Sequence, residues 1–389
     1  MTTITEEPTG ISFEMSEDQR MVRNVAREFA EKEIKPHVMK YDESQEFPRE
    51  IFEKLGEIGF LGTVFPEQYG GAGMSTLDFV VMMEEVSKVD PSVGLGVGAH
   101  NGLCTSHIFL FGNDGQKQKY LPDLCSGKKL GGWGLTEPGS GSDAGGMRSI
   151  AERNGDYYIL NGNKTFCTHG SVGGTYVVMA KTDKNKGKES IAAFILEKGM
   201  EGFSVGKKED KLGMRASDTA TLIFENVKVP VENRLGEEGE GYKQALKVLD
   251  GGRIGIAALS VGIAQGALDH SLKYSQERQQ FNQPLAEFQA IQFKLADMHT
   301  EIEAARLLTF EAAYRKDNGL DYKLAAAKAK YFASEVATRA ANEAIQIHGG
   351  YGFIKEYPVE KLYRDVKLMT IGEGTSEVQK MVIARELLK

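Results

Sequence analysis

Trp133-Gly134-Leu135-Thr136-Glu137-Pro138-Gly139-Ser140-Gly141-Ser142-Asp143 marks the point at which the texture of the chain changes. The stretch holds the only tryptophan; it is too glycine-rich for a regular element and too rich in hydroxyls for a spacer. Upstream the pattern is helical. Met21, Val25, Phe29 and Ile34 recur at helical spacing from Met15 to about Lys40, and Ser16 with Gln19 makes a capping box. Phe47-Pro48 opens a helix through Leu55, Pro66 to Gly73 is a turn, and Leu77–Val89, Gly94–Phe111 and Asp114–Leu124 continue as helices. Downstream, Asp156 to Gly162 reads as a strand ending in a turn, and Thr175–Ala180, Ile191–Leu196 and Thr219–Phe224 are further β-branched or aromatic runs.

Strand signals vanish after Gly241. About Gly241–Arg278, Leu285–Asn318 and Tyr322–Ile347 carry apolar residues at i, i+3 and i+4, punctuated by Pro284 and Gly319, and a closing helix spans Val378 to Leu388. The expected fold class is therefore α+β in three parts: an all-α domain over 1–130, a small β domain over 131–236 and a four-helix bundle over 237–389. The order does not repeat internally, nor does it alternate as a dinucleotide-binding sheet would.

A chain of 389 residues exceeds one ordinary core, and 41% hydrophobic with 26% charged residues suits a soluble globular protein. Cys104, Cys125 and Cys167 are scattered without metal spacing, which favours a reducing compartment. The N-terminus reads as neither secretory signal nor transit peptide, and no run is apolar enough to span a bilayer, so the expected location is the cytoplasm. A formal net charge of −8 disfavours nucleic acid as a partner.

Gly139 to Gly145 is off by one from a G-x-G-x-x-G fingerprint and lies in no βαβ unit; it reads as a loop whose N–H groups reach a flat or anionic ligand, or as an interdomain linker. Asp250-Gly251-Gly252-Arg253 starts or crosses a bundle helix. Two glycines there imply close approach of another group, and Arg253 either anchors a phosphate or carbonyl or makes an ordinary salt bridge. Gln346-Ile347-His348-Gly349-Gly350 ends the third bundle helix with a good C-cap. In Ile371-Gly372-Glu373-Gly374-Thr375-Ser376, Glu373 is either a carboxylate brought close to a ligand or a helix-start glutamate with Thr375 or Ser376 as N-cap. No nucleophile elbow, Walker loop or zinc spacing occurs, and His100 with His107 reads as core or pocket lining.

Taken together, Leu135 to Asp143, Asp250 to Arg253, Arg278-Gln-Gln-Phe281, Gln346 to Gly350 and Glu373 to Ser376 resemble the acyl-CoA dehydrogenase family over essentially the whole chain, closest to the short-chain, bacterial butyryl-CoA type. The resemblance implies a middle domain like a small β-barrel, a homotetramer, one FAD per subunit and electron-transfer flavoprotein as partner. It assigns Trp133, Leu135, Thr136, Gly141 and Ser142 to the flavin ring and pyrophosphate, with Ser142 also touching substrate. Phe166, Cys167 and Thr168 would cover the other side of the ring. Arg278, Phe281, Gln289, Gln346, Ile347, Gly349 and Gly350 would grip the ADP part, partly across a subunit interface. Asp250, Arg253 and Gly374 would contact acyl-CoA, and Thr375, Ser376 and Glu377 the flavin. No metal is implied.

By the same resemblance Glu373 is the base that takes the α-proton of the thioester while the β-hydrogen leaves as hydride, giving a trans-2-enoyl-CoA. Burial against an acyl chain is expected to raise its pKa from near 4.3. In the isovaleryl-CoA branch of the family the base sits at the position held here by Gly252, so Gly252 with Glu373 implies the linear-chain arrangement. The residue before the base is often tyrosine in short- and medium-chain members of the family; Gly372 removes its bulk and predicts tolerance of a branched or cyclic acyl group. Rival expectations are an oxidase that passes electrons to O2, a DNA-associated flavoprotein and a non-catalytic flavoprotein of the same fold.

Overall fold

The computed structural model describes residues 14–389. Residues 1–13, where any signal or transit peptide would begin, lie outside the described residues. Seven helices come first: α1 (Glu17–Phe29), α2 (Val38–Ser44), α3 (Arg49–Glu57), α4 (Thr76–Val89), α5 (Pro91–Ala99), α6 (Ser106–Phe111) and α7 (Asp114–Cys125). Their starts follow from local chemistry. Capping boxes at Ser16/Gln19, Ser75/Asp78 and Asn113/Gln116 satisfy the first N–H groups of α1, α4 and α7. The expected single helix over Gly94–Phe111 is present as α5 and α6 joined by a π-helical turn, His100–Thr105. Such turns insert a residue that re-aims its neighbours.

Eight strands form one sheet: β1 (Gly131–Gly134), β2 (Ile150–Asn154), β3 (Tyr157–Thr168), β4 (Thr175–Lys181), β5 (Ile191–Glu197), β6 (Phe203–Lys208), β7 (Thr219–Pro230) and β8 (Arg234–Leu235). The order is β6-β7-β3-β2-β4-β5-β8, with β1 parallel to β4. Two expectations are corrected here. The Trp133 stretch begins inside a regular element, because the glycines of β1 make room for neighbours; a Cβ on Gly132 would lie 2.6 Å from the Tyr176 ring. The strand expected to turn at Gly162 continues to Thr168, because its partner β7 is equally long and a register shift at Gly162, φ +134, absorbs the bend.

Helices α8 (Gly241–Glu277), α9 (Gln289–Asp317), α10 (Lys323–His348), α11 (Val359–Val366) and α12 (Ser376–Leu387) complete the chain. Asp250–Arg253 thus crosses α8 rather than starting it. The predicted start of the second bundle helix at Leu285 is corrected to Gln289, since Leu285–Glu287 is a 3-10 turn after Pro284. One core runs through α1, α3, α4, α5, α8, α9, α10 and α11, so the first and last thirds of the chain share their interior, while a second core lies within the sheet. Helix α4 lies directly on α8: Cβ atoms on Gly262 and Gly266 would each stand 2.6 Å from a carbonyl oxygen, of Glu84 and Lys88 respectively. The three parts are pinned by Lys361 of α11. Its Nζ donates to Asp90 at the head of α5 at 2.8 Å and to Asp365 at 2.5 Å, and Asp365 in turn accepts the N–H of Met214 beyond β6. Burial works against the Lys361 charge, and the two carboxylates outweigh it, holding the ammonium well above its ordinary value.

Candidate active site

The segment between α11 and α12 places Glu373. After the 3-10 turn Lys367–Thr370 the chain leaves helix, and Glu373 (φ +52) and Gly374 (φ +94) are consecutive residues in the left-handed region. Glutamate there costs on the order of 1–2 kcal/mol and persists only where neighbours hold it. Three contacts do so. Gln379 Nε2 donates to the carbonyls of Glu373 and Gly374 at 3.3 and 2.9 Å, Lys330 Nζ donates to Gly374 O at 2.8 Å, and Thr375 caps α12 by accepting from Val378 N–H.

The Glu373 carboxylate rests on the backbone of α8. A Cβ added to Gly252 would lie 2.2 Å from Oε2 and 3.4 Å from Leu103 Cδ2, which explains the second of the two helix glycines, each costing about 1 kcal/mol; a Cβ at Gly251 would meet only Lys316 Nζ at 3.6 Å, an ordinary contact. Leu103 comes from the π-helical turn, whose Gly102 approaches the Gly252 Cα, and Phe79 of α4 lies against Gly255 one turn on. The carboxylate therefore faces apolar walls, and Oε2 is buried with no hydrogen-bond partner among the described residues. Burial pushes its pKa from 4.5 up to about 7, against the opposing charges of Lys330 and Arg253. A carboxylate with one oxygen buried and unpartnered, and a pKa poised near neutrality, suits a general base.

Arg253 is buried and bonds Asp250 Oδ1 at 2.6 Å, while its Nε has no partner among the described residues. The salt bridge and a spare donor are thus both present.

A second group of sequence-selected residues collects around β1 and the loop after it. Trp133 Nε1 donates to His107 Nδ1 at 3.0 Å, so the other ring nitrogen carries the proton and donates to Gln244 Oε1 at 3.1 Å. Burial lowers the pKa of His107 to about 4, keeping it neutral. Glu137 anchors the loop: its carboxylate accepts the N–H groups of Arg148 and Ser149 and the ammonium of fully buried Lys164 at 2.7 Å, and Lys164 also donates to Leu135 O. Thr165 N–H donates to Thr136 O, tying β3 to the loop. The remaining edge, Pro138, Gly139, Gly141 and Ser142, is exposed, and a Cβ at either glycine would meet nothing within 4 Å. Across from it Phe166, φ +56, is 66% exposed. Thr168 is partly buried. Cys167 faces the sheet interior, so of its atoms only the backbone can reach a ligand. An open glycine edge, free N–H groups and an exposed ring beside a half-buried tryptophan fit a flat, phosphate-bearing cofactor such as FAD.

The third group lies elsewhere. Arg278 caps the far end of α8, and Phe281, in the left-handed region and 89% exposed, and Gln289, at the start of α9, follow it. Arg278 stacks over the Tyr351 ring at 5.3 Å, which brings it to the end of α10, where Gln346, Gly349 and Gly350 are exposed and Ile347 is buried. Gln244, joined to Trp133 through His107, sits 34 residues before Arg278 along one uninterrupted helix, about 51 Å of helical rise. One chain does not bring these two groups together. Thr375 and Ser376 lie at the α12 start, Ser376 donating to Glu335, and Glu377 is exposed.

Sequence reasoning missed Lys330, Gln379, Leu103, His107 as a partner of Trp133, and Lys164. No sequence signal marks Lys330 in its alanine-rich helix. Among the described residues no His, Cys, Asp and Glu cluster could hold a metal, and no helix is long and apolar enough to cross a membrane.

Three descriptions of known domains match the chain: acyl-CoA dehydrogenase N-terminal domain over residues 16–128, middle domain over 132–227 and C-terminal domain over 239–388. The chain belongs to the acyl-CoA dehydrogenase family. The probable acyl-CoA dehydrogenase YngJ of Bacillus subtilis is 52% identical over 97% of this chain and 100% of its own. The caffeyl-CoA reductase–Etf complex subunit CarC of Acetobacterium woodii is 47% identical over 96% of this chain and 99% of its own. The butyryl-CoA dehydrogenase structure from Megasphaera elsdenii superposes with a TM-score of 0.96 at 46% identity, covering 97% of this chain and all of that one. As a member of this family the protein is an FAD-dependent flavoprotein oxidoreductase.

Proposed function

We propose that the protein oxidises a short-chain acyl-CoA to its trans-2-enoyl-CoA, with Glu373 as the base. The observation that carries this reading is the Glu373 carboxylate itself, unpaired, set on Gly252 and raised to about 7. Its carboxylate takes the Cα proton of the thioester. The left-handed backbone at 373–374, fixed by Gln379 and Lys330, holds it in position, and the Leu103 wall excludes water that would otherwise solvate it. Arg253, with its spare buried donor, and Asp250 are the acyl-CoA contacts on α8, and Gly374 follows Glu373, whose carboxylate lies over Gly252 between them; Ser142 lies on the exposed loop edge. FAD, held by the Trp133–Ser142 loop, Phe166, the Cys167 backbone, Thr168 and Thr375 to Glu377, supplies the two-electron acceptor for the β-hydride.

The ADP end of the cofactor is assigned to Arg278, Phe281, Gln289 and the Gln346–Gly350 turn. Because about 51 Å of helix separates these from the Trp133 end, a second copy must supply one of the two groups, which supports a homo-oligomer and, by resemblance, a tetramer. Electron-transfer flavoprotein is the proposed acceptor of the electrons, supported by the likeness to a subunit of an Etf complex. The three cysteines are free and buried, which supports a reducing, cytoplasmic location.

Gly372 favours a broader acyl pocket. It has no left-handed φ, and a Cβ there would meet only Leu368 at ordinary contact distance, so neither backbone nor neighbours require glycine beside the base. Branched or cyclic acyl groups would use that space. The test is anaerobic titration of the yellow protein with butyryl-, octanoyl-, isobutyryl- and cyclohexanecarboxyl-CoA, with the product identified by mass. Loss of flavin colour with enoyl-CoA formation supports the reading; bound flavin that no acyl-CoA reduces refutes it.

A further inference from the structure

Lys330 stands in the third helix of the bundle with 0% of its surface exposed. A buried ammonium is costly and normally sits against a carboxylate. Among the described residues Lys330 forms no ion pair; its Nζ donates instead to one backbone carbonyl, Gly374 O, at 2.8 Å. That carbonyl also accepts from Gln379 Nε2, so both of its lone pairs are engaged and the peptide after Glu373 is fixed from two sides. A helix of alanines would pack a methionine here at far less cost, so the charge has a use. Of the carboxylates that act on Lys330, Glu373 acts most strongly, and its Oε2 is itself buried without a partner among the described residues.

We propose that Lys330 is a positioning residue: it pins the loop that carries the base and lends its positive charge to the Glu373 carboxylate. The proposal rests on the assignment of Glu373 as base. Other charges facing the enclosure are Arg253 with Asp250 on α8, Lys316 of α9 beside Gly251, Glu335 on α10, and Glu377 on α12 with Lys367 and Lys380 near it. Of these only Arg253 acts on Glu373 beside Lys330, and Arg253 is already compensated by Asp250. Burial pushes Lys330 itself down to about 8, opposed by Glu373 and reinforced by Arg253, so it is mostly charged where Glu373 is half ionised and loses that charge as pH rises through about 8. Neutralising a neighbour of Glu373 that lowers its pKa moves the carboxyl upward.

The experiment compares holoenzyme, Lys330→Gln, which can keep the bond to Gly374 O without the charge, Lys330→Met, which keeps neither, and Lys330→Arg, which keeps the charge. Flavin reduction by butyryl-CoA is followed from pH 5.5 to 9, and protonation of Glu373 is read independently from its carboxyl band by infrared difference spectroscopy, with Glu373→Gln to assign the band. Expected is a rise of about one unit in the Glu373 midpoint in the Gln variant, which lowers the reactive fraction at pH 7 about 5-fold. The Arg variant should return the midpoint, and the Met variant should lose rate beyond what pH restores. A midpoint in Lys330→Gln within about 0.3 units of wild type overturns the proposal. A wild-type flavin that none of butyryl-, octanoyl-, isobutyryl- and cyclohexanecarboxyl-CoA reduces overturns the proposed function instead, and the infrared midpoints still decide whether the charge acts.

Discussion

Replacing Gly252 by alanine separates the fold from the chemistry more cleanly than any other single change in this molecule. The position is helical, so a methyl in place of hydrogen favours the folded state by up to about 1 kcal/mol through helix propensity and the unfolded chain's lost freedom. The new Cβ would stand 2.2 Å from Glu373 Oε2 and 3.1 Å from its carboxyl carbon, whereas ordinary contact begins near 3.4 Å. The obstructing atom is the far end of a flexible side chain, so the helix stays and the carboxylate moves by about 1 Å. A base displaced by that much costs on the order of 100-fold in rate. Gly252→Ala is therefore expected to unfold at the wild-type temperature or slightly above it, bind flavin normally, and reduce it about 100-fold more slowly with butyryl-CoA in anaerobic stopped flow. Wild-type reduction rates in a stable variant would refute the placement of the carboxylate over this glycine. A collapsed fold would refute the packing argument.

Glu373→Gln bears on stability as well. The folded pKa is raised above the unfolded value, so this group's contribution is complete below about 4.5 and is lost as pH rises to about 7. That span corresponds to about 3 kcal/mol, so the variant should resist urea better than wild type at pH 8, with the gap closing toward pH 5. Lys164→Met leaves the Glu137 carboxylate buried without its cation and should cost about 3–5 kcal/mol, measured by urea unfolding, with loss of bound flavin as the Leu135–Ser142 loop loosens. Gly372→Tyr should spare butyryl-CoA and suppress turnover of cyclic acyl-CoA, read as the ratio of kcat/KM values; an unchanged ratio would show that the space at Gly372 is not used. Arg278→Ala should lower flavin content together with oligomer mass in light scattering, since both depend on a second copy.

The α, β, α order was legible because helical periodicity and β-branched runs are local properties that survive without a partner. Glu373 stood out because two glycines flank it, and Asp250–Arg253 because a double glycine in a helix demands an explanation, which the carboxylate then supplies for Gly252. What stayed hidden depends on pairing at long range. Lys330 reads as one more surface lysine until α10 is laid against residue 374, and nothing local to Glu137 announces the buried Lys164 beneath it. The strand at Gly131–Gly134 was missed because glycine depresses strand propensity, whereas here it is the side chains of Tyr176 and Cys104 that need the space. The π-helical turn that delivers Leu103 has no marker in composition.

The most direct measurement is single-turnover flavin reduction by butyryl-CoA in wild type and Glu373→Gln, with release of the α-deuterium from labelled substrate followed in the same samples. The account predicts rapid bleaching and label loss in the wild type, with rate rising through a midpoint near 7, and neither event in the variant despite full flavin binding. Unimpaired bleaching in Glu373→Gln would contradict it.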